Sequence, residues 1–384
     1  MTKPAIAGRI SKFVQRCRDA VSWRAYVLRQ RYLAWQAERK IRQAASRAAG
    51  VIRQLAKMKA ANPGRPFCGI LLIEHIGDII ACEPIIAQVR EAYPTAFIVW
   101  VVKNQFAALL ANHPALSATV CVDSFLIVER IIDSRVFDHA VDLHVNTKAT
   151  EVAGRDYQKK SGDPSIDVHS YIGKGSLLHS FALAAGIEPR SAAPTIYVPR
   201  ESVTAIDKLS LPENFVVVHS ASNQGYKNWS PSKWRDLVRH IIDHYETHVI
   251  EIGLESAIDL EHHRFRTVCG ALSIMETAEL IRRSTFFVGV DSGPAHMANA
   301  WRRPGLLLFA RFFGSDTFNP FEGYYRELAE TVILRYPGPL LEQPVNTVIA
   351  ALEASPLWHK THGRLSRGGA DSPLVKRSAK SSPR

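Results

Sequence analysis

The chain has 384 residues, 46% of them hydrophobic and 22% charged, a composition that excludes a disordered or low-complexity protein and leaves room for two domains with real cores. Its formal charge of +12 is unevenly spread: residues 1–60 carry 15 Lys and Arg against two acids, residues 359–384 carry seven against Asp371 alone, and the stretch between is net acidic. A basic arm and a basic tail on an acidic body suit attachment to something anionic, a membrane face or a nucleic acid.

The five cysteines, Cys17, Cys68, Cys82, Cys121 and Cys269, are odd in number and show no C-x-x-C pair. They read as reduced thiols in a cytosolic setting. No apolar run has the length needed to span a bilayer, and no uninterrupted apolar segment follows the basic N-terminus as a secretion signal would require. An Arg-rich, acid-poor N-terminus is also the composition of an organellar transit peptide.

In the first 60 residues, Ile10, Val14, Cys17, Val21, Leu28, Tyr32 and Trp35 recur at steps of three, four or seven, one stripe of a helix. Arginines lie among them, and Trp23 and Trp35 are residue types that favour a headgroup boundary. The segment therefore reads as a basic amphipathic arm, lying on a membrane or packed on a partner or on its own body.

Asn62-Pro63-Gly64-Arg65-Pro66 ends that helix. Short apolar runs then alternate with helical patterns: strands at 69–73, 96–102 and 139–143, and helices near 79–92, 104–111 and 175–185. A second set follows, with strands from Phe215, at 248–252, 285–290 and 305–309. Its helices fall at 232–245, near 274–283 and from 294. Repeated alternation of this kind predicts parallel sheets with helical crossovers. The α/β reading is two doubly wound, Rossmann-like domains facing a cleft, 66–200 and 213–355, between a helical arm over 1–60 and a disordered tail over 359–384.

Three constellations sit where strands of such a sheet run into helices. Gly69 to Asp78 is a buried-strand pattern that ends in Gly77-Asp78 before a helix; Asp78 there is either a helix cap or a group in reach of a substrate hydroxyl. His219 to Trp229 is a polar loop carrying Lys227, either a solvated lysine or a cation for a pyrophosphate. Val288 to His296 runs through Asp291-Ser292-Gly293-Pro294. Its small residues let phosphate oxygens approach free N–H groups at a helix start, or simply cap a turn. No G-x-x-x-x-G-K-[ST], G-x-S-x-G, H-E-x-x-H or D-x-D occurs, and the last absence argues against metal-dependent sugar transfer.

In this order the three motifs resemble glycosyltransferase family 9, the ADP-heptose:lipopolysaccharide heptosyltransferases, over roughly residues 69–320. The matching positions are Gly77-Asp78 with Pro84, Arg90-Glu91-Ala92-Tyr93-Pro94, His219 with Lys227 and Trp229, and Asp291-Ser292-Gly293-Pro294 with His296. The resemblance implies a GT-B architecture and inversion at the anomeric carbon, with the acceptor bound by the first domain and the donor by the second. It implies Asp78 as general base with His75 and Gly77 on the acceptor side. It implies Lys227, Asp291, Ser292, Gly293 and His296 as donor ligands, with no metal or cofactor beyond a nucleotide-sugar substrate such as ADP-heptose. The departures are Glu74-His75-Ile76 before Gly-Asp, His219-Ser220-Ala221-Ser222, and Phe309-Ala310-Arg311-Phe312-Phe313-Gly314; all three bear on which substrates are used.

The function expected is transfer of a sugar to a lipid-linked saccharide such as a lipopolysaccharide core. The expected location is cytoplasmic, peripheral on the inner face of a bacterial cytoplasmic membrane. A non-catalytic saccharide- or nucleotide-binding protein at the membrane surface is the competing reading. Nucleic-acid binding lacks any recognised module and is not expected.

Overall fold

The computed structural model describes residues 3–311, 315, 317–327 and 331–362, with side chains of the first helix described at Trp23 and from Ala25 onward. The chain divides into two compact units: Met1–Pro199 with Thr317–Arg326, and Arg200–Asp316 with Glu327–Arg384.

The first unit opens with helix α1 (Lys3–Ala60). Ala44, Ala48 and Leu55 are buried in the core of this unit, and Ala37, Ile41, Val51 and Ile52 pack against it. Arg47 pairs with Asp123 at 2.7 Å and Lys59 with Asp138 at 2.6 Å. The C-terminal part of the helix is therefore body rather than arm. Successive residues turn by about 100° around a helix, which sets Trp35 almost opposite Ala37. The packed row thus runs on the far side from the sequence stripe, and Leu28, Tyr32 and Trp35 stay exposed. Trp23, Tyr26 and Leu33 prolong the packed row toward the N-terminus and are exposed as well. The side chains of Ile10, Val14, Cys17 and Val21 lie outside the described residues.

The sheet of this unit is parallel, in the order β3-β2-β1-β4, from β1 (Phe67–Leu71), β2 (Phe97–Val102), β3 (Ala118–Cys121) and β4 (His139–Asp142). Every residue of β1 is buried, as expected of a central strand covered by helices on both faces. The helix anticipated over 79–92 is two, α2 (Ile76–Cys82) and α3 (Ile85–Ala92). Pro84 stands between them, and its missing N–H breaks the ladder. The helix anticipated over 104–111 is a 3-10 helix, Asn104–Leu109. Strand β3 and helix α4 (Phe125–Asp133) escaped the sequence reading: β3 has four residues, and Phe125-Leu126-Ile127-Val128 is an apolar run without helical period. Helix α5 (Leu177–Ala184) follows.

The second unit begins with α6 (Arg200–Asp207), which falls almost wholly between the two domains expected at 66–200 and 213–355 and is joined to α8 (Ile274–Arg283) by the Arg283–Asp207 pair at 2.7 Å. Its strands are β5 (Phe215–His219), β6 (His248–Ile252), β7 (Phe265–Thr267), β8 (Phe286–Val290), β9 (Gly305–Phe309) and β10 (Thr331–Arg335). They form a parallel sheet in the order β10-β9-β8-β5-β6-β7. Helices α7 (Pro231–Tyr245), α9 (Gly293–Ala300), α10 (Val345–Glu353) and α11 (Pro356–Thr361) complete it. Trp358 is fully buried and His362 buried, so the fold continues past 359, where the sequence reading began the tail; residues 363–384 lie outside the described residues. At Gly289 a Cβ would sit 2.9 Å from the Phe287 ring and 3.1 Å from His219 O. The close approach of β8 to β5 beside the His219 loop therefore requires glycine.

Candidate active site

In the first unit, Asp78 is the third residue of α2, not its N-cap. The N-cap is His75, whose backbone N–H donates to Asp78 Oδ2 at 3.0 Å. Gly77 is the second residue of the helix and half-buried. The His75 ring is exposed, with Nδ1 3.6 Å from Asp78 Oδ2 and 3.9 Å from Glu74 Oε2. Lys148, carried past the carboxyl end of β4, places Nζ 3.0 Å from Glu74 Oε1.

The result is a compact charge cluster at the carboxyl end of β1: two carboxylates, an ammonium and an imidazole. Burial pushes the Asp78 carboxyl up. The hydrogen bonds from His75 and the positive charge of Lys148 outweigh it, and the pKa falls below the usual aspartate value. The hydrogen bond to Asp78 raises the His75 pKa against the opposing effect of burial. For Lys148, burial alone would favour the neutral amine, but Glu74 and Asp78 hold the ammonium and the pKa rises. Asp78 is thus an ionised carboxylate whose capping bond uses one oxygen.

Ligand atoms of Glu74, His75 and Asp78 lie within 4.8 Å of one another, a spacing a metal ion could bridge. Lys148 already sits on Glu74 and supplies positive charge there. Glu83, the nearest further carboxylate on the chain, is spoken for: Oε1 meets His113 Nε2 at 2.7 Å and Oε2 accepts from Thr195 N–H at 2.9 Å.

In the second unit, Lys227 Nζ lies 2.7 Å from Asp291 Oδ2, so two residues assigned to the donor from separate motifs meet in space. Ser292 is the N-cap of α9 and Gly293 its first residue. First-turn N–H groups have no intrahelical acceptor, which leaves this end suited to an anion. Ser292 Oγ donates to Val290 O at 3.0 Å and accepts from His219 Nδ1 at 2.9 Å, a tautomer assigned from the network. Burial lowers the His219 pKa to about 4; the ring is neutral. His296 is buried on α9, unlike the partly exposed Lys227 and Asp291.

A buried carboxylate the sequence did not reveal, Glu251, fixes the surrounding loops. It accepts from Ser220 Oγ at 2.7 Å and Ala257 N–H at 3.0 Å, and also from Ser256 Oγ. Lys148 and Glu74 were missed as site residues too. The available signal for Lys148 was a lysine just past the strand expected at 139–143.

Residues 199–313 match the family model described as glycosyltransferase family 9 (heptosyltransferase). The chain carries a glycosyltransferase family 9 domain. With it comes the enzyme class: the protein is a glycosyltransferase. Lipopolysaccharide heptosyltransferase 3 of Escherichia coli is 20% identical over 302 residues, 66% of this chain and 88% of that protein. Two solved structures resemble the fold that holds this family 9 domain. The Escherichia coli ADP-heptose lipopolysaccharide heptosyltransferase II has TM-score 0.57 at 17% identity, over 76% of this chain and 98% of that one. A family 9 glycosyltransferase of Veillonella parvula has TM-score 0.55 at 15% identity, over 77% and 97%. The two parallel-sheet units are accordingly of the GT-B type. The matched segment contains Lys227, Asp291, Ser292, Gly293 and His296, whereas Asp78 lies outside it. Of the departure after β9, Phe312, Phe313 and Gly314 lie outside the described residues.

Proposed function

We propose that the protein is an inverting, metal-independent glycosyltransferase that moves heptose from ADP-heptose onto a lipid-linked saccharide such as a lipopolysaccharide core. The donor and acceptor are inferred from the names of the similar proteins; the chemistry rests on this chain's own residues. The observation that carries the reading is the Asp78 carboxylate, kept ionised by His75 and Lys148 where β1 opens into α2.

In the proposed step Asp78 takes the proton of an acceptor hydroxyl. That oxygen bonds to the anomeric carbon from the face opposite the nucleotide, and the bond from that carbon to the diphosphate oxygen breaks. Lys227 and the N–H groups at the start of α9 meet the charge that develops on the departing nucleoside diphosphate. Asp291 and Ser292 hold the donor, with His296 supporting them from the buried side of α9. His75 and Gly77 border the acceptor hydroxyl.

The deciding experiment is Asp78→Asn. Asn keeps an oxygen to accept from His75 N–H, so folding and donor binding should persist while turnover falls about 10²–10⁴-fold, the usual contribution of a general base. Near wild-type turnover would return Asp78 to a purely capping role.

The acceptor reading is joined to a location: cytoplasmic, held peripherally on an anionic membrane surface by α1. No described helix is long and apolar enough to cross a membrane. Support comes from the distribution of exposed large hydrophobics among the described residues. Six of nine, Trp23, Tyr26, Leu28, Tyr32, Leu33 and Trp35, fall within one stretch of α1. Four are Trp or Tyr, the residues enriched at membrane–water interfaces. Arg29, Arg31, Arg39 and Lys40 are interleaved with or follow them, as binding to anionic lipid needs.

A further inference from the structure

Behind the Asp78 loop lies a polar cluster that the proposed chemistry does not use. Asp142, the last residue of β4, is buried with both carboxylate oxygens engaged. His144 Nδ1 donates to Oδ1 at 2.7 Å and the Tyr157 hydroxyl donates to Oδ2 at 2.6 Å. Lys159 Nζ donates to the carbonyls of Asp142 and His144 at 2.6 and 2.8 Å and lies 3.2 Å from Asp142 Oδ2. The other imidazole nitrogen, His144 Nε2, accepts from the backbone N–H of Ile73 at 2.9 Å. Ile73 immediately precedes Glu74, at the head of the turn that delivers Asp78.

The same cluster holds the second backbone segment of the site. Tyr157 N–H donates to Lys148 O at 2.7 Å, and Thr147 N–H donates to Tyr157 O at 3.0 Å. His144 and Tyr157 rings pack edge to face at 5.5 Å, with Phe125 against both. The two backbone segments that bring Glu74, Asp78 and Lys148 together are therefore pinned to one buried group.

We propose that His144, oriented by Asp142 and Tyr157, is a positioning residue for this glycosyltransferase: its bond to Ile73 N–H sets the distance between Lys148 and the Glu74–Asp78 carboxylates. The inference rests on Asp78 being the base. A network of this kind is unnecessary for folding a strand end, where the Ile73 N–H needs only some acceptor; the use of a ring locked in one tautomer by a carboxylate fixes direction as well. Burial would push the Asp142 carboxyl up, but the bond and charge of His144, with Lys159 and Tyr157, bring it below the usual value, so the anchor remains ionised as the pH falls.

The readout is the acid limb of the kcat–pH profile, set by ionisation of Asp78. The groups that face Asp78 are Glu74 and His75 before α2, Lys148 after β4 and Cys82 on α2, with Lys103 after β2 acting on His75. Lys148 lowers the Asp78 pKa, so a looser Lys148 moves the acid limb to higher pH.

The experiment uses the full chain with ADP-heptose and a lipopolysaccharide-core acceptor, and four variants: Asp78→Asn, His144→Ala, His144→Gln and Tyr157→Phe. His144→Ala should lower kcat by about 10²-fold, the order expected when a reacting group is misplaced by an ångström. It should leave donor KM within about twofold, as expected for a residue that belongs to none of the donor motifs, and shift the acid limb upward. His144→Gln, whose amide can accept from Ile73 N–H and donate to Asp142, should recover most of the loss. Should His144→Ala fail to fold, Tyr157→Phe carries the test, with a smaller shift of the acid limb in the same direction. If Asp78→Asn is inactive but the His144 and Tyr157 variants keep the wild-type acid limb, or if His144→Gln is no better than His144→Ala, the positioning role is overturned while the base reading stands. If Asp78→Asn keeps its turnover, the base reading itself is lost and this inference with it.

Discussion

Lys227 Nζ and Asp291 Oδ2 lie 2.7 Å apart, the lysine on the loop after β5 and the aspartate just past the end of β8. Both side chains are only slightly exposed, at 15% and 18%, so the pair is screened less than a surface ion pair. A diphosphate arriving beside Lys227 adds negative charge to a site that already holds Asp291. In that arrangement the aspartate restrains and orients the ammonium, and Lys227 alone supplies the charge that offsets the ligand. Lys227→Ala should weaken ADP-heptose binding by roughly 1.5–3 kcal/mol, the worth of a charge-assisted hydrogen bond. Asp291→Ala should weaken it as well, by loosening Lys227. Isothermal titration of both variants checks this, and unchanged affinity in both would remove the pair from the donor site.

His219 gives the second unit a pH signature. Burial lowers its pKa to about 4 in the folded protein, against about 6.5 in an unfolded chain. Between these values the unfolded state binds a proton that the folded state refuses, so stability rises with pH across roughly pH 4 to 6.5 and is lost on acidification through that window. His362, also held near 4 by burial, adds a contribution of the same sign. Chemical denaturation at pH 7 and pH 4.5 should show the fall, and His219→Gln should flatten part of it. An unchanged pH slope in that variant would mean that His219 is protonated within the fold.

Helix α1 should be divisible. Removing residues 1–36 deletes the exposed aromatic stretch and leaves the packed row from Ala37 onward; the product should fold and turn over a water-soluble acceptor but no longer sediment with anionic vesicles. Raised salt should also release the intact chain, each basic residue near an anionic surface contributing about 1 kcal/mol. Removing residues 1–60 takes away Leu55, Ala48 and Ala44 from the core, and the loss of one buried leucine alone costs about 2–5 kcal/mol. That truncation should lower the melting temperature sharply. Vesicle binding by the chain without 1–36 would overturn the assignment of the stretch.

The sequence carried the architecture because strands buried on both faces read as apolar runs, as in Phe215-Val216-Val217-Val218 and Phe286-Phe287-Val288. It singled out Asp78, Lys227, Asp291, Ser292 and Gly293 as candidates because they stand past strand ends within recognisable motifs. It did not carry the partners. Lys148 and Glu74 are 74 residues apart in the chain and meet only because β4 pairs with β1; parallel register is set by tertiary packing, which local pattern does not reach. Glu251 looked like one charged residue in an apolar strand, and its role appears only when Ser220, Ser256 and Ala257 close around it. The arm misled for a related reason. The described part of its regular stripe, Leu28, Tyr32 and Trp35, is exposed, while the packed side mixes Ile41, Val51, Ile52 and Leu55 with small residues, Ala37, Ala44 and Ala48, that weaken its hydrophobic signal.

The Lys148–Glu74 pair allows the electrostatic role of Lys148 to be separated from its structural one. Lys148→Met removes the charge and keeps most of the length of the side chain. Glu74, 5% exposed at its side chain, is then a buried carboxylate without its cation, a change that typically costs about 3–5 kcal/mol. The single variant should therefore be less stable. It should also show a raised acid limb in kcat, because Lys148 is one of the groups holding the Asp78 pKa down. Adding Glu74→Gln removes the stranded charge, and the double variant should regain most of the lost stability. The acid limb should return only in part: the negative neighbour of Asp78 has gone, but so has the positive one, and His75 alone remains to favour the ionised form. A double-mutant cycle on denaturation midpoints, with kcat–pH profiles for all four proteins, reads both effects. Stability recovered together with a fully wild-type profile would show that Lys148 only neutralises Glu74; stability recovered with a displaced profile would show that it also tunes Asp78.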